Sequence, residues 1–264
     1  MRGTGDSTDQ AALRARRARS FGAQAAVYAE HRPDYPAAGI RWALEPLGAK
    51  DVPAVLDLGA GTGKLTDGLL AVGAEVIAVE PDEAMLAELV RRYPSVTALP
   101  GTAEAIPLPD GSVDAVVAGQ AFHWFDRARA FPEIARVLRP GGVFAAFRNV
   151  EDDHVAWMAG LQRAARSDVS SPPPAAEKKL PEHPLFAAFE QAEFPHTHRR
   201  TADSLVLTIG TYSHTVVIDP DQRAALLARL RDYLRATPET AEGEFDFPLR
   251  TEMIRAVLRG SPQR

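Results

Sequence analysis

The stretch Val55-Leu56-Asp57-Leu58-Gly59-Ala60-Gly61-Thr62-Gly63 constrains the fold of this chain more than any other part of it. A short apolar run of buried-strand character passes into glycines at alternate positions, a helical pattern follows, and Glu80 closes the next apolar run. A strand, a glycine turn and a helix, with an acid about 20 residues further on, is how α/β folds hold a nucleoside cofactor.

Spacing separates the cofactors that compete for such glycines. A phosphate-cradling loop needs Gly-x-x-x-x-Gly-Lys-Ser/Thr, but Leu58 stands in place of the first glycine and Leu65 in place of the hydroxyl. A dinucleotide site needs Gly-x-Gly-x-x-Gly, whose third glycine brings helix and strand together over a pyrophosphate. Counting from Gly59 puts Lys64 at that place, and counting from Gly61 puts Thr66 there. The chain reads Gly-x-Gly-x-Gly instead, with Asp57 two residues upstream. An acid there repels a pyrophosphate and suits a ligand carrying an ammonium group.

Strand and helix signals alternate around this turn. Apolar runs at Val55–Leu58, Val76–Val79, Val96–Leu99, Val113–Ala118 and Val143–Phe147 have the short, Val- and Ala-rich character of fully buried parallel strands. Between them Leu65, Leu69, Leu70 and Val72 form one helical stripe, and Met85, Leu86, Leu89 and Val90 a second with Asp82 as N-cap. Phe131, Ile134, Val137 and Leu138 form a third, stopped by Pro140-Gly141-Gly142. The alternation predicts an α/β fold: a doubly wound, Rossmann-like, mostly parallel sheet with helices on both faces and ligands at the carboxyl ends of the strands.

Composition narrows the functions. The 264 residues are 45% hydrophobic, enough for one sizeable core, and the length permits one domain with an elaboration or two small ones. A net charge of −5 offers no general attraction to nucleic acid. With no cysteine, disulfides, thiolate catalysis and cysteine zinc sites are excluded. No apolar run approaches the roughly 18 residues of a membrane span. Residues 1–20 are polar, with Arg14, Arg16, Arg17 and Arg19 clustered; Asp6, Asp9 and the lack of an apolar face argue against a transit peptide. They read as a disordered basic tail and the protein as cytoplasmic, with no nucleic-acid or membrane partner and as a monomer or homodimer.

Asp57 to Gly63 resembles the first motif of the class I S-adenosylmethionine-dependent methyltransferases. The resemblance implies a seven-stranded sheet and S-adenosylmethionine as cofactor, with Asp57, Gly59, Ala60, Gly61 and Gly63 passing under its amino-acid part. It also implies Glu80 on the ribose hydroxyls, with Pro81 and Met85 following in the site. Pro100 to Pro109 resembles the family's loop after the third strand, which usually reads Gly-Asp-Ala-Glu and whose Asp meets the adenine amino group; here Thr102 replaces that Asp, followed by Ala103 and Glu104. A threonine hydroxyl still accepts a hydrogen bond. Gly119-Gln120-Ala121-Phe122-His123-Trp124-Phe125 resembles the wall between cofactor and acceptor, with Gly119 and Gln120 beside the sulfonium, His123 as a candidate base and Trp124 as an acceptor contact.

Phe21 to Pro36 is similar to the N-terminal lid of the branch that includes trans-aconitate and quinone-biosynthesis methyltransferases, which implies Tyr28 and Arg32 on the cofactor's carboxylate. Residues 21–150 are accordingly expected to form the cofactor-binding core with its lid. Residues 151–264 are expected to supply the remaining edge strands and a helical substrate cap within the same globular unit. Ser170 to Lys179, with Pro172-Pro173-Pro174, reads as a connection. Beyond it Leu185, Phe186 and Phe189 suggest a helix, Leu226, Leu227, Leu230 and Leu234 another, and Phe245 to Leu249 a last strand. Tyr212 and His214 from the cap are candidate contacts for a small-molecule acceptor, and Arg148 and Asn149, just past the fifth strand, are candidates to bind an anionic one. A non-catalytic S-adenosylmethionine-binding module and a nicotinamide-dependent oxidoreductase are the rival readings; Asp57 and Lys64 count against the second.

Overall fold

The structure, a computed structural model, describes residues 32–166, 182–210, 212, 215 and 218–260. The chain runs through α1 (Ala37–Leu44), β1 (Ala54–Leu58), α2 (Lys64–Ala71), β2 (Glu75–Glu80), α3 (Glu83–Arg92), β3 (Thr97–Pro100) and β4 (Val113–Gly119). A 3-10 turn at Phe122–Trp124 leads into α4 (Arg127–Val137) and β5 (Leu138–Glu151). The last third adds α5 (Ala156–Ala165), β6 (Glu190–Arg200), α6 (Ala202–Gly210), α7 (Pro220–Ala236) and β7 (Phe245–Val257).

The strands form one seven-stranded sheet in the order β3-β2-β1-β4-β5-β7-β6. β1 pairs in parallel with β2 and β4, β2 with β3, and β4 with β5. β7 runs antiparallel to β5, since Leu258 N–H donates to Gly142 O at 2.8 Å while Asp152 N–H donates to Pro248 O at 3.1 Å. The bridge between Phe186 and Leu258 is likewise antiparallel. Winding reverses between β1 and β4, so the crevice beyond their carboxyl ends is the switch point where doubly wound sheets bind ligands.

The chain divides into two compact units: Pro33–Val150 with Ala175–His196 and Leu249–Arg264, and Met1–Arg32 with Glu151–Pro174 and Thr197–Pro248. In the first, the central strands are buried on both faces, which is why they read as unbroken apolar runs. One face packs Val55, Leu65, Leu69, Leu89 and Phe147 together with Ile40 of α1; the other packs Leu56, Leu58, Ile134 and Phe144 with Phe131 and Phe186. Each fully buried Leu or Phe contributes about 1.5–3 kcal/mol.

Capping sets the helix starts. Asp82 accepts from Ala84 N–H and Met85 N–H, both at 3.0 Å, as a Ser/Asp-type N-cap should. The third stripe differs from expectation at its end: Leu138 has left the helix and pairs as the first residue of β5 with Val113. Pro140-Gly141-Gly142 then lies inside β5 as an irregularity, because the register jumps from Val113–Leu138 to Ala115–Val143.

The expected helix around Leu185, Phe186 and Phe189 is absent; residues 182–189 contain no helix. Ala187 N–H donates to Val257 O and Arg259 N–H to Leu185 O, so the segment spends its backbone groups on the strand beside it. Its aromatic residues owe their spacing to Phe131, whose ring centroid lies 5.6 Å from that of Phe186 and 5.9 Å from that of Phe189. In the second unit Leu226, Leu230 and Leu234 are buried along α7, as their spacing predicts. Gly160 of α5 lies under Tyr233, whose hydroxyl donates to Trp157 O at 2.7 Å.

At the amino end of β4, away from the switch point, buried Asp114 accepts from Ala54 N–H at 2.8 Å and Arg139 Nη1 at 2.9 Å, and pairs with Lys50. Asp114→Ala strands that amide, so it is expected to destabilise the protein by about 1–3 kcal/mol while leaving cofactor affinity unchanged. Paired thermal melts and ligand titrations check this.

Candidate active site

β1 ends at Leu58, and the chain turns through Gly59, Gly61 and Gly63, all with positive φ (+70°, +57° and +89°). L-side chains rarely adopt this conformation. Sterics add a second reason at Gly59 and Gly63: a Cβ would lie 2.7 Å from Ala121 Cβ in the first case and 2.6 Å from the Tyr93 ring in the second. Gly61 differs, for a Cβ there would meet only the Met85 sulfur at 3.8 Å. Its bare face is the cradle against which a ligand can lie.

The turn is pinned from β2. Gly59 N–H and Ala60 N–H both donate to Val79 O, at 2.8 and 3.1 Å. Glu80, 6% exposed, accepts from Gly61 N–H at 2.8 Å through Oε2 and from Asp82 N–H at 2.9 Å through Oε1. Burial pushes its carboxyl above the usual carboxylate range, against the pull of those two donors.

Beneath the turn Asp57 is fully buried. Its Oδ2 accepts from Thr66 Oγ1 at 2.6 Å, while Oδ1 has no partner; Thr62 Oγ1 is likewise buried and unpartnered. Burial, opposed by the Thr66 hydrogen bond and reinforced by the charge of Glu80, raises the Asp57 carboxyl to about 7. A buried acid with one lone oxygen, beside a glycine turn with an open face, fits a ligand bearing a positive group.

In the loop after β3, Thr102 and Ala105 form an antiparallel bridge and Ala103 is buried. Glu104 turns toward α4 and accepts from Asp126 N–H at 2.9 Å. Pro81 opens the loop between β2 and α3, and Met85 is buried on α3.

β4 ends at Gly119, where a Cβ would lie 2.7 Å from the Tyr35 hydroxyl. Gln120 holds φ 54°, unusual outside glycine, and is tied down twice: its N–H donates to Phe147 O at 2.8 Å and its Nε2 to Asn149 O at 2.9 Å. Such over-determined strain is characteristic of functional sites. Asn149 Nδ2 donates to Asp34 O at 3.0 Å and its Oδ1 accepts from Thr251 Oγ1 at 2.6 Å. Tyr35 packs edge-on against Phe147, with centroids 5.6 Å apart. Asn149, expected from the sequence as an acceptor contact beside Arg148, here ties Gln120, Asp34 and Thr251 together; Tyr35 and Thr251 were not among the sequence-derived candidates, and no sequence spacing places Thr251, on β7, beside β5.

His123 is exposed on the 3-10 turn, its ring 4.9 Å from that of Trp124. Arg148 lies 3.8 Å from Glu252. Arg32 and Tyr212 belong to the other unit, where the guanidinium stands 4.6 Å over the Tyr212 ring. Tyr28 and His214 lie outside the described residues, as do the 1–20 tail and the Pro172-Pro173-Pro174 connection. Among the described residues no helix is long and apolar enough to cross a membrane.

A doubly wound sheet with an acid-bottomed glycine turn at its switch point defines an α/β enzyme of the nucleoside-cofactor type. A methyltransferase-domain model matches residues 56–146. The chain is 39% identical over 240 residues to an uncharacterized methyltransferase of Mycobacterium tuberculosis, covering 90% of this chain and 96% of that protein. It is 31% identical over 237 residues to an uncharacterized methyltransferase of Schizosaccharomyces pombe, covering 88% and 94%. The solved structure of a protein described as a type II methyltransferase from Anaeromyxobacter dehalogenans superposes with a TM-score of 0.66 at 31% identity, covering 88% of this chain and 99% of that one. The chain belongs to the class I S-adenosylmethionine-dependent methyltransferase family.

Proposed function

We propose that this enzyme methylates a small-molecule acceptor at the crevice beyond β1 and β4. The observation that supports the cofactor's place is a glycine turn with open space at Gly61 and, at the end of the strand leading into it, the buried acid Asp57 with one oxygen that has no hydrogen-bond partner. When bound, S-adenosylmethionine supplies a methyl group made electrophilic by its sulfonium. The chain's part is to hold and align. Asp57 faces the ammonium of the amino-acid end, Glu80 takes the ribose hydroxyls, with Pro81 and Met85 beside it, and the Gly59–Gly63 turn lies beneath. Thr102 and Ala103 meet the adenine edge, with Glu104 bracing that loop against α4. Gly119 and Gln120 flank the sulfonium, and Trp124 and Arg148 are assigned to the acceptor. Alignment supplies most of the rate, because fixing the reactants replaces lost translational freedom in advance. Where the acceptor must lose a proton, His123 is the base we assign.

Calorimetry with S-adenosylhomocysteine tests the cofactor assignment. Wild type is expected to bind, and Gly61→Arg to lose detectable binding, because its side chain fills the cradle. Absence of wild-type binding, or normal binding by Gly61→Arg, sinks the assignment. A screen of metabolite pools with a labelled methyl donor then identifies the acceptor; labelling confined to protein or nucleic acid would overturn the small-molecule reading.

A further inference from the structure

We propose that Lys64 binds the carboxylate at the amino-acid end of the cofactor, and that Asp34 holds the Lys64 ammonium at the glycine turn until that carboxylate displaces it. The proposal rests on the cofactor assignment above and names a residue to which the family resemblance gave no role.

Lys64 is the first residue of α2, directly after Gly63, which occupies the N-cap. A lysine at a helix start ordinarily extends its ammonium into water. Here the side chain is only 15% exposed and Nζ lies 2.9 Å from Asp34 Oδ1, whose own side chain is 63% exposed. The pair is thus a sheltered cation held by a solvated anion. Such half-exposed pairs contribute little to stability, so exchanging one carboxylate for another costs little. The position of Asp34 is set by the fold: Asn149 Nδ2 holds its carbonyl at 3.0 Å, and Tyr35 next to it is packed against Phe147 and over Gly119.

Charge balance at the turn asks for this cation. Asp57 and Glu80 are both buried acids at the turn. They suit an ammonium and oppose a carboxylate, yet the amino-acid end of the cofactor carries both. The N-terminus of α2 favours an anion, and the hydroxyl of Thr62 in the turn, buried and without a hydrogen-bond partner, is a further donor. Lys64 supplies the full positive charge that these partial ones lack.

The test compares S-adenosylmethionine with its decarboxylated analogue, which retains ammonium and sulfonium, by calorimetry on the full chain. Lys64→Gln is expected to weaken S-adenosylmethionine about 10–30-fold and the analogue less than about 2-fold, as befits loss of one charge-assisted hydrogen bond. Lys64→Arg is expected to restore most of the difference. Asp34→Asn, which removes the competing anion, is expected to tighten S-adenosylmethionine by about 2–5-fold, an improvement that a purely structural ion pair would not produce. Equal losses for both ligands in Lys64→Gln, or none, overturn the Lys64 assignment; unchanged or weaker binding in Asp34→Asn overturns the role of Asp34. Wild type that binds neither ligand would instead overturn the cofactor assignment itself. Thermal melts of each variant confirm that the comparison is made on folded protein.

Discussion

Glu80→Ala is expected to reduce affinity for S-adenosylhomocysteine by more than about 100-fold, because two effects combine at one side chain. The carboxylate assigned to the ribose hydroxyls disappears, and charge-assisted hydrogen bonds of that kind contribute about 1.5–3 kcal/mol each. The same substitution also releases Gly61 N–H and Asp82 N–H, which Glu80 accepts at 2.8 and 2.9 Å. The turn then loses the clasp that presents its open face. Leaving those two amides without an acceptor lowers stability by roughly 2–4 kcal/mol. Glu80→Gln keeps one acceptor oxygen and is expected to fall between the two proteins in both measurements. Calorimetry beside thermal melting separates the contributions; an alanine variant with wild-type affinity would show that Glu80 is a structural clasp and nothing more.

Asp57→Asn is expected to abolish cofactor binding and yet stabilise the protein above neutral pH. Burial raises the carboxyl of Asp57 to about 7 from 3.8, so between those values the folded state holds a proton that the unfolded state has released. Stability therefore falls as pH rises from about 4 to 7, and the full cost of an ionised buried acid is present above 7. At about 1.4 kcal/mol per pH unit, the advantage of the neutral asparagine widens by roughly 2–3 kcal/mol between pH 5 and pH 8.5. Asparagine can still accept the Thr66 hydrogen bond, so little packing is lost. Melting curves at the two pH values, with ligand titrations at the higher one, check both halves. A variant less stable than wild type at pH 8.5 would show that Asp57 is ionised and satisfied in the free enzyme.

Much of the fold was legible because parallel strands buried on both faces write themselves as unbroken apolar runs, and because helix starts carry their own caps. Val55 to Leu58 and Asp82 are examples, and both elements begin within a residue of where the pattern places them. The reading failed where side-chain spacing had a tertiary cause. Leu185, Phe186 and Phe189 mimic a helical stripe, but their neighbour is Phe131 and their backbone pairs with 257–259. Leu138 carries the helical period one residue too far because Val113, 25 positions upstream, claims it for the sheet.

The site divides in the same way. Asp57, the alternating glycines and Glu80 form a local motif: the distance from turn to acid is the length of one helix and one strand, which chain geometry imposes on any sequence of this kind. The turn and its acid, and through them the class of cofactor, were therefore determined by the sequence alone. The lone buried oxygen of Asp57, the strained Gln120 roped to Asn149, the hydroxyl of Tyr35 over Gly119 and the pairing of Lys64 with Asp34 were decided only by the tertiary structure. Each joins segments distant in sequence or depends on what excludes water from a group, and neither property resides in a residue or in its neighbours along the chain.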